Sequence, residues 1–367
     1  RLQLRAGVEG ELSSFEPQNP LGLLGAVTMK KRVFEPGGSE VPLELGELGD
    51  GRRGGVASGY VHADVDLWRG RVSLGLGLRL DVYHADRFTL LGLDPRAQLR
   101  LRLTDWLRVQ AGVGLYQQPP SFPVPMPGID TFALRLGLQR ALQAALGQEL
   151  RLPQSLTLSL TGFYQRYGNA ADFMLFGYPG CAAARSPALT GLTAEWVRPS
   201  DGVAYGGELL LRRHEGPVTG WIAYTLSRSE RRYGCGLRPT PYDQPHLLNV
   251  VLQARLPWRL TAGARLLFAS GRPIETLPNE QVPAPAEAPG VERFPDYVQL
   301  DLRLERSWQF RRWAMVLFLE VANATYSELA LFRRYEYLPG TEIPDPKRLK
   351  VEGFHWILPS LGLRGSF

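Results

Sequence analysis

The sequence predicts an all-β fold: a transmembrane antiparallel up-and-down β-barrel of about 14 strands, with short periplasmic turns and long extracellular loops. Three observations predict it. Nearly every regular stretch alternates apolar and polar residues with period two, as a strand with two unlike faces does. Short and long links between those stretches alternate without exception. Tryptophans gather beside the short links and tyrosines near the long ones.

The alternation is plainest over 70–84, where Val72, Leu74, Leu76, Leu78, Leu80 and Val82 oppose Ser73, Gly75, Gly77, Arg79, Asp81 and Tyr83. It repeats over 94–105, with Ala97, Leu99, Leu101 and Leu103 against Gln98, Arg100, Arg102 and Thr104. It returns over 296–308, with Val298, Leu300, Leu302 and Leu304 against Gln299, Asp301, Arg303 and Glu305. The remaining strands are predicted at 1–12, 54–68, 107–117, 141–152, 154–168, 202–214, 217–231, 243–256, 258–270, 312–325 and 355–367. A weak helical spacing over 136–150 is explained about as well by alternation.

Short turns are predicted at Arg69, Asp105-Trp106, Pro153, Glu215-Gly216, Pro257 and Gln309–Arg311. Long links are predicted at 13–53, 85–93, 118–140, 169–201, 232–242, 271–295 and 326–354. An even strand number leaves both termini on the short-turn side. Trp68, Trp106, Trp258, Trp308 and Trp313 are the predicted membrane-interface aromatics of that side. Strands of 10–15 residues are long enough for a tilted passage through the hydrocarbon layer.

Composition narrows the class without deciding it. The chain has 367 residues, 44% hydrophobic, which excludes a disordered chain, and nothing divides it, so residues 1–367 are one predicted domain. Mean hydropathy is −0.15, the value of a soluble protein, because alternation averages the two faces. Forty Gly and 29 Pro without a Gly-X-Y period exclude collagen. Net charge is +6, and all basic residues are Arg except Lys30, Lys31, Lys347 and Lys350. Arg at every second strand position points into a barrel rather than forming an open basic face, so nucleic acid is not an expected partner. The chain opens on the strand-like Arg1-Leu2-Gln3-Leu4, so export implies that this numbering follows a cleaved or trimmed segment.

A closed barrel of 14 strands has a backbone diameter of roughly 25–30 Å and leaves a lumen. The predicted lumen-facing charged wall is Arg5, Glu9, Asp64, Arg79, Asp81, Arg100, Arg102, Glu208, Arg212, Arg255, Asp301, Arg303 and Glu305. Interspersed signs read as a hydrated, salt-bridged wall; the excess of Arg reads instead as a path for anionic solutes. His62, His84, His214, His246 and His355 are scattered, so no metal site and no cofactor is expected. Asp243-Gln244-Pro245-His246 is the first candidate for hydrolytic chemistry and His62 with Asp64 the second, weaker one; a strand-entry turn with Asp as a local cap and Pro excluding helix is the preferred account of the former. No catalytic residue, and no enzyme, is expected. Gly75-Leu76-Gly77 and Gly112-Val113-Gly114 lie inside strands with no helix after them, so neither is a phosphate loop. Cys181 and Cys235 fall in two long loops of neighbouring hairpins, within reach of a disulfide.

These motifs together resemble the barrel of TonB-dependent receptors. Gly59-Tyr60-Val61-His62-Ala63-Asp64 is similar to that family's Ala-Tyr-Val-Gln-Asp strand, and Gly77-Leu78-Arg79-Leu80-Asp81 to its Gly-Leu-Arg-Tyr-Asp strand. Asp94-Pro95-Arg96, Tyr116-Gln117-Gln118-Pro119-Pro120-Ser121, Tyr205-Gly206-Gly207-Glu208, Tyr224-Thr225-Leu226-Ser227, Asp243-Gln244-Pro245-His246, Ser270-Gly271-Arg272-Pro273 and Val321-Ala322-Asn323-Ala324 follow in the family's order. The resemblance implies the outer membrane of a Gram-negative bacterium. Family members carry a plug domain, an energy-coupling box and 22 strands. Residues 1–367 contain no match to plug or box, so TonB coupling is not expected. The length resembles that of plugless barrels that form lipid-enclosing rings in predatory and related bacteria. The expected role is therefore structural or lipid-organising, with membrane lipids as partners and a homo-oligomer as the assembly. A passive conduit for small solutes and the C-terminal barrel part of an active importer are the alternatives. Apolar clusters at Leu21–Val27 and Leu329–Phe332 are expected to fold inward or pack on a neighbour, favouring an occluded lumen.

Overall fold

A computed structural model describes residues 2–15, 52–85, 88–120, 134, 137–173, 197–233, 236–273, 293–337 and 344–366. In chain order the strands are β1 (Leu2–Phe15), β2 (Arg52–Leu67), β3 (Val72–Ala85), β4 (Phe88–Arg102), β5 (Leu107–Gln118), β6 (Gln139–Leu152), β7 (Leu156–Phe173), β8 (Val197–Arg213) and β9 (Val218–Tyr233). There follow β10 (Gly236–Pro239), β11 (His246–Leu256), β12 (Leu260–Ala269), β13 (Tyr297–Gln309), β14 (Ala314–Ala322), β15 (Glu328–Tyr337), β16 (Pro344–His355) and β17 (Leu358–Ser366). Each of the 14 predicted strands is present, and 139–152 is strand, so alternation outweighs the helical spacing there.

Fourteen strands form one antiparallel meander, β1 to β9 in order, then β11, β12, β13, β14 and β17. The remaining three strands lie off this path. β10 folds back on β9, and β15 pairs only with β16. These occupy the predicted loops 232–242 and 326–354, so part of each long link is itself hairpin. A third difference is at 85–93, where β3 and β4 run on until only residues 86–87 separate them. β4 accommodates Pro95, because the ladder between β4 and β5 begins only at Arg96.

Among the described residues the sheet does not close: β1 pairs with β2 alone and β17 with β14 alone, which corrects the expectation of a closed barrel of 14 strands. Sequence periodicity defines faces and neighbours but places no constraint on whether the first and last strands meet.

Burial follows from which face is apolar. Leu residues of one face stand exposed, among them Leu12 on β1 (94%), Leu146 on β6 (61%) and Leu361 on β17 (73%). A sheet that turns its Leu face outward retains almost no core, and the buried apolar residues cluster at the long-loop end. There Leu134 and Leu138 pack on Tyr83 and Leu90. The cluster Leu21–Val27 lies outside the described residues, and Leu329–Phe332 belongs to β15.

Three short turns use a tight geometry that the sequence disguises. Trp68-Arg69, Gln154-Ser155 and Trp258-Arg259 each place two successive non-glycine residues at φ between 46° and 62°. Such turns match the right-handed twist of the strands they join. Asn-Gly is the usual signal for them, and here Trp-Arg occupies two of the three.

Candidate functional site

Register places the whole predicted charged wall on one face. Arg5 stands opposite His62, Glu9 opposite Ser58, Arg79 opposite Tyr60 and Asp94, and Arg100 opposite Ser73 and Gln110. Further along, Glu208 stands opposite Thr161, Arg212 opposite Thr157 and Trp221, Arg255 opposite Thr261, and Arg265 opposite Asp301. Because every pairing is antiparallel and mostly without bulges, one parity of residue number carries from each strand to the next.

On this face the charges divide into three regions. Over β1–β4, Arg79 donates to both Asp81 oxygens at 2.9 and 3.1 Å, to Glu9 at 3.2 Å and to the Ser58 hydroxyl at 2.9 Å, while Ser58 also donates to Asp81. Asp81 is buried, so this ring of donors is what allows a carboxylate there. Arg5 lies 3.5 Å from Asp64, whose other oxygen is 3.2 Å from His62 Nε2. Over β12–β14, Arg265 faces Asp301 at 3.7 Å. Arg303 bridges Glu305 at 3.2 Å and Glu320 at 2.7 Å, with its guanidinium 4.0 Å from the Phe318 ring centre.

Between these regions the pairing thins out. Arg108 meets Glu149 at 3.5 Å and Arg100 donates to Gln98 at 3.3 Å. Arg102, Glu208, Arg212 and Arg255 form no ion pair among the described residues. The predicted wall is thus two cross-linked patches separated by a stretch with uncompensated arginines.

The long-loop end holds two buried polar hubs. Asp243, 1% exposed, accepts from the Ser229 amide at 2.7 Å, from Arg228 at 3.3 Å and from Arg293 at 2.5 Å. Arg293 also donates to the carbonyls of Asp243 and Gly271 at 2.7 and 3.0 Å. One guanidinium therefore ties the start of β11, the end of β12 and the approach to β13. Asn323, fully buried, donates its side-chain amide to the carbonyls of Ser327 and Trp356, and its oxygen accepts from the Ser327 amide and the Thr325 hydroxyl. Its backbone amide donates to Asp301 at 2.9 Å. Asn323 thereby fixes the hairpin of β15 and β16 to the meander.

These contacts decide the chemical candidates. The Asp243 carboxylate is saturated by Ser229, Arg228 and Arg293, whereas His246 pairs through Nδ1 with the Tyr224 hydroxyl at 2.7 Å. The two do not act as a dyad. His62 and Asp64 do meet, but no serine or threonine hydroxyl bonds to His62 among the described residues. Gly75 and Gly77 lie beneath His62 and Arg96, where a Cβ on Gly77 would stand 2.7 Å from Arg96 Nε. Their role is close packing of side chains over the strand.

Trp68, Trp106, Trp258, Trp308 and Trp313 all lie at the short-turn end, in or beside the turns that join β2–β3, β4–β5, β11–β12 and β13–β14. Cys181 and Cys235 lie outside the described residues. Arg293, Ser229 and Trp356 were not singled out from sequence, and no local signal marks them.

Comparison with known proteins adds lineage. A family model described as TonB dependent receptor-like, beta-barrel, matches residues 28–324. The FrpB iron transporter from Neisseria meningitidis superposes with a TM-score of 0.61 at 13% identity, over 99% of this chain and 52% of that one. BauA, the ferric preacinetobactin receptor from Acinetobacter baumannii, gives 0.58 at 15% identity, over 86% of this chain and 43% of that one. The ferripyoverdine receptor of the outer membrane of Pseudomonas aeruginosa gives 0.55 at 16% identity, over 76% and 35%. The chain spans about half or less of the length of these structures, and at such identities the likeness is one of fold. No curated protein matches the chain.

Proposed function

The chain belongs to the TonB-dependent receptor-like β-barrel family, and from that premise we propose that it forms the wall of an outer-membrane uptake barrel in a Gram-negative bacterium, performing no chemistry of its own. The observation that carries the reading is the pair of unpaired edges, β1 and β17, on a sheet whose apolar side chains face outward. Hydrocarbon offers no hydrogen-bond partner to an open strand edge, so a spanning sheet must be completed by pairing. Further strands of a longer polypeptide complete the wall in this reading, and the charged face then lines a hydrated passage. The breadth of the structural neighbours, each about twice as long or more, supports it.

A second reading is the lipid-organising homo-oligomer without a plug, in which copies meet at the same edges and enclose lipid. The exposed Leu12 and Leu361 on those edge strands favour it, because they would contact either lipid or a neighbouring copy.

Native mass spectrometry of the detergent-extracted protein, followed by planar-bilayer conductance, separates the two. A single full-length chain that inserts and conducts supports the uptake wall. A ring multiple retaining lipid and passing no current supports the second reading. Failure to insert into bilayers at all overturns both.

A further inference from the structure

We propose that the row Arg71–Arg102–Arg108, at the short-turn end of the polar face, is a binding site for a small oxyanion, a solute bearing a phosphate or carboxylate group. The proposal rests on the reading that this face lines a water-filled passage, and it names a substrate class for it.

The row is built by register. Arg102 on β4 is the direct cross-strand partner of Arg108 on β5, and its amide donates to the carbonyl of Arg71 at the start of β3 at 2.8 Å. Arg102 and Arg108 therefore stand side by side across β4 and β5, with Arg71 in the turn residue that leads into β3. Directly opposed side chains in an antiparallel pair have Cβ atoms about 4.5–5.5 Å apart, and like charges there are unfavourable.

Within the meander the other directly opposed charges differ in sign, although off it Arg238 on β10 stands opposite Arg231 on β9. Arg265 is opposite Asp301, Arg303 opposite Glu320 and Arg108, on its other side, opposite Glu149. Each of those cross-strand pairs closes to within 4 Å. Among the described residues the side chains of Arg71 and Arg102 have no ion pair and no hydrogen bond, and Glu149 is the one carboxylate that reaches the row. Arg100, the next inward residue on β4, adds a further cation held only to Gln98.

A meander that elsewhere sets unlike charges opposite one another, yet here gathers three cations beside the single carboxylate of Glu149, which is paired with Arg108, carries a deficit that a bound oxyanion removes. Guanidinium is suited to the task, since two parallel N–H groups match two oxygens of a phosphate or carboxylate. Gln98 and Gln110, flanking Arg100 on the same face, offer neutral amides beside the row.

The test is thermal melting of the full chain in detergent, titrated separately with inorganic phosphate and with citrate. The wild type is expected to melt higher as either anion is added, and the response tells phosphate from carboxylate preference. Arg102→Gln should weaken the apparent affinity at least tenfold, while Arg255→Gln, on the same face but far from the row, should change it less than twofold. Arg102→Glu supplies the missing opposite charge, so it should melt higher than wild type without anion and lose the anion response. Equal losses in Arg102→Gln and Arg255→Gln, or no response in wild type, overturn the proposal. Access is read separately, by aqueous maleimide labelling of Gln110→Cys in a Cys181→Ser/Cys235→Ser background. An unlabelled Gln110→Cys overturns the water-filled passage itself, whereas labelling without any anion response overturns the oxyanion site alone.

Discussion

Arg293 places one guanidinium nitrogen 2.5 Å from the Asp243 carboxylate and the other 2.7 Å from the Asp243 carbonyl, across fifty residues of chain. Arg293→Ala leaves the buried Asp243 carboxylate with only Arg228 and the Ser229 amide, and is expected to destabilise the protein by about 1–3 kcal/mol, the range for losing a hydrogen bond to a buried charged group. Asp243→Asn keeps one acceptor oxygen but turns an amide N–H group toward donors, so it should cost at least as much. Urea unfolding in lipid vesicles measures both, and a negligible loss in Asp243→Asn would show that Asp243 needs only a polar group there.

The two faces of the sheet answer differently to charge. Leu302→Arg, on the apolar face, is expected to cost roughly 2–4 kcal/mol if that position lies at mid-bilayer, whereas Gln98→Arg should cost far less. Leu101→Arg should behave like Leu302→Arg. Folding equilibria in vesicles compare them, and equal effects would sink the facing assignment.

Phe318 lies over Gly362, with its ring in the space that a Cβ on Gly362 would take. Arg303 stacks on the same ring, so the edge strand β17 is keyed to the Arg303–Glu320 pair through a glycine. Gly362→Val should cost about 1–3 kcal/mol by overpacking. Phe318→Ala in the same chain should relieve most of that clash, and a double-mutant cycle measures the coupling. Additive effects would show that the ring and the strand are independent.

Asn323 satisfies four side-chain hydrogen bonds at a buried position with φ of 53°. Asn323→Ala leaves two carbonyls and an amide without partners, and each buried unsatisfied group costs about 1–3 kcal/mol. Hydrogen exchange should quicken first at Ser327, whose amide loses its acceptor. Unchanged protection at Ser327 would mean that water replaces the side chain without loss.

Strand identity was legible because it is local. Alternation at 70–84 needs only its own residues, and Leu78 and Arg79 face opposite ways whatever lies beside them. Once neighbours pair in order, the same parity propagates across the sheet, which is why Arg5 and Arg303 share a face though they are remote in sequence. The polar hubs were not legible for the converse reason. Asp243 reads as a local cap until Arg293 arrives from another loop, and His246 sits nearby in sequence yet pairs with Tyr224 on the opposite face.

Periodicity therefore suffices to set the class, the strands and the division into an apolar and a charged face, since each depends on two-residue spacing and nearest neighbours. Tertiary structure alone decides that β1 and β17 each keep one edge without a partner among the described residues, that β15 and β16 form a separate hairpin anchored by Asn323, and that Arg102 stands opposite Arg108 rather than a carboxylate. Each of these depends on the register between distant segments, where a shift of one residue exchanges every partner, and no stretch of sequence encodes that register by itself.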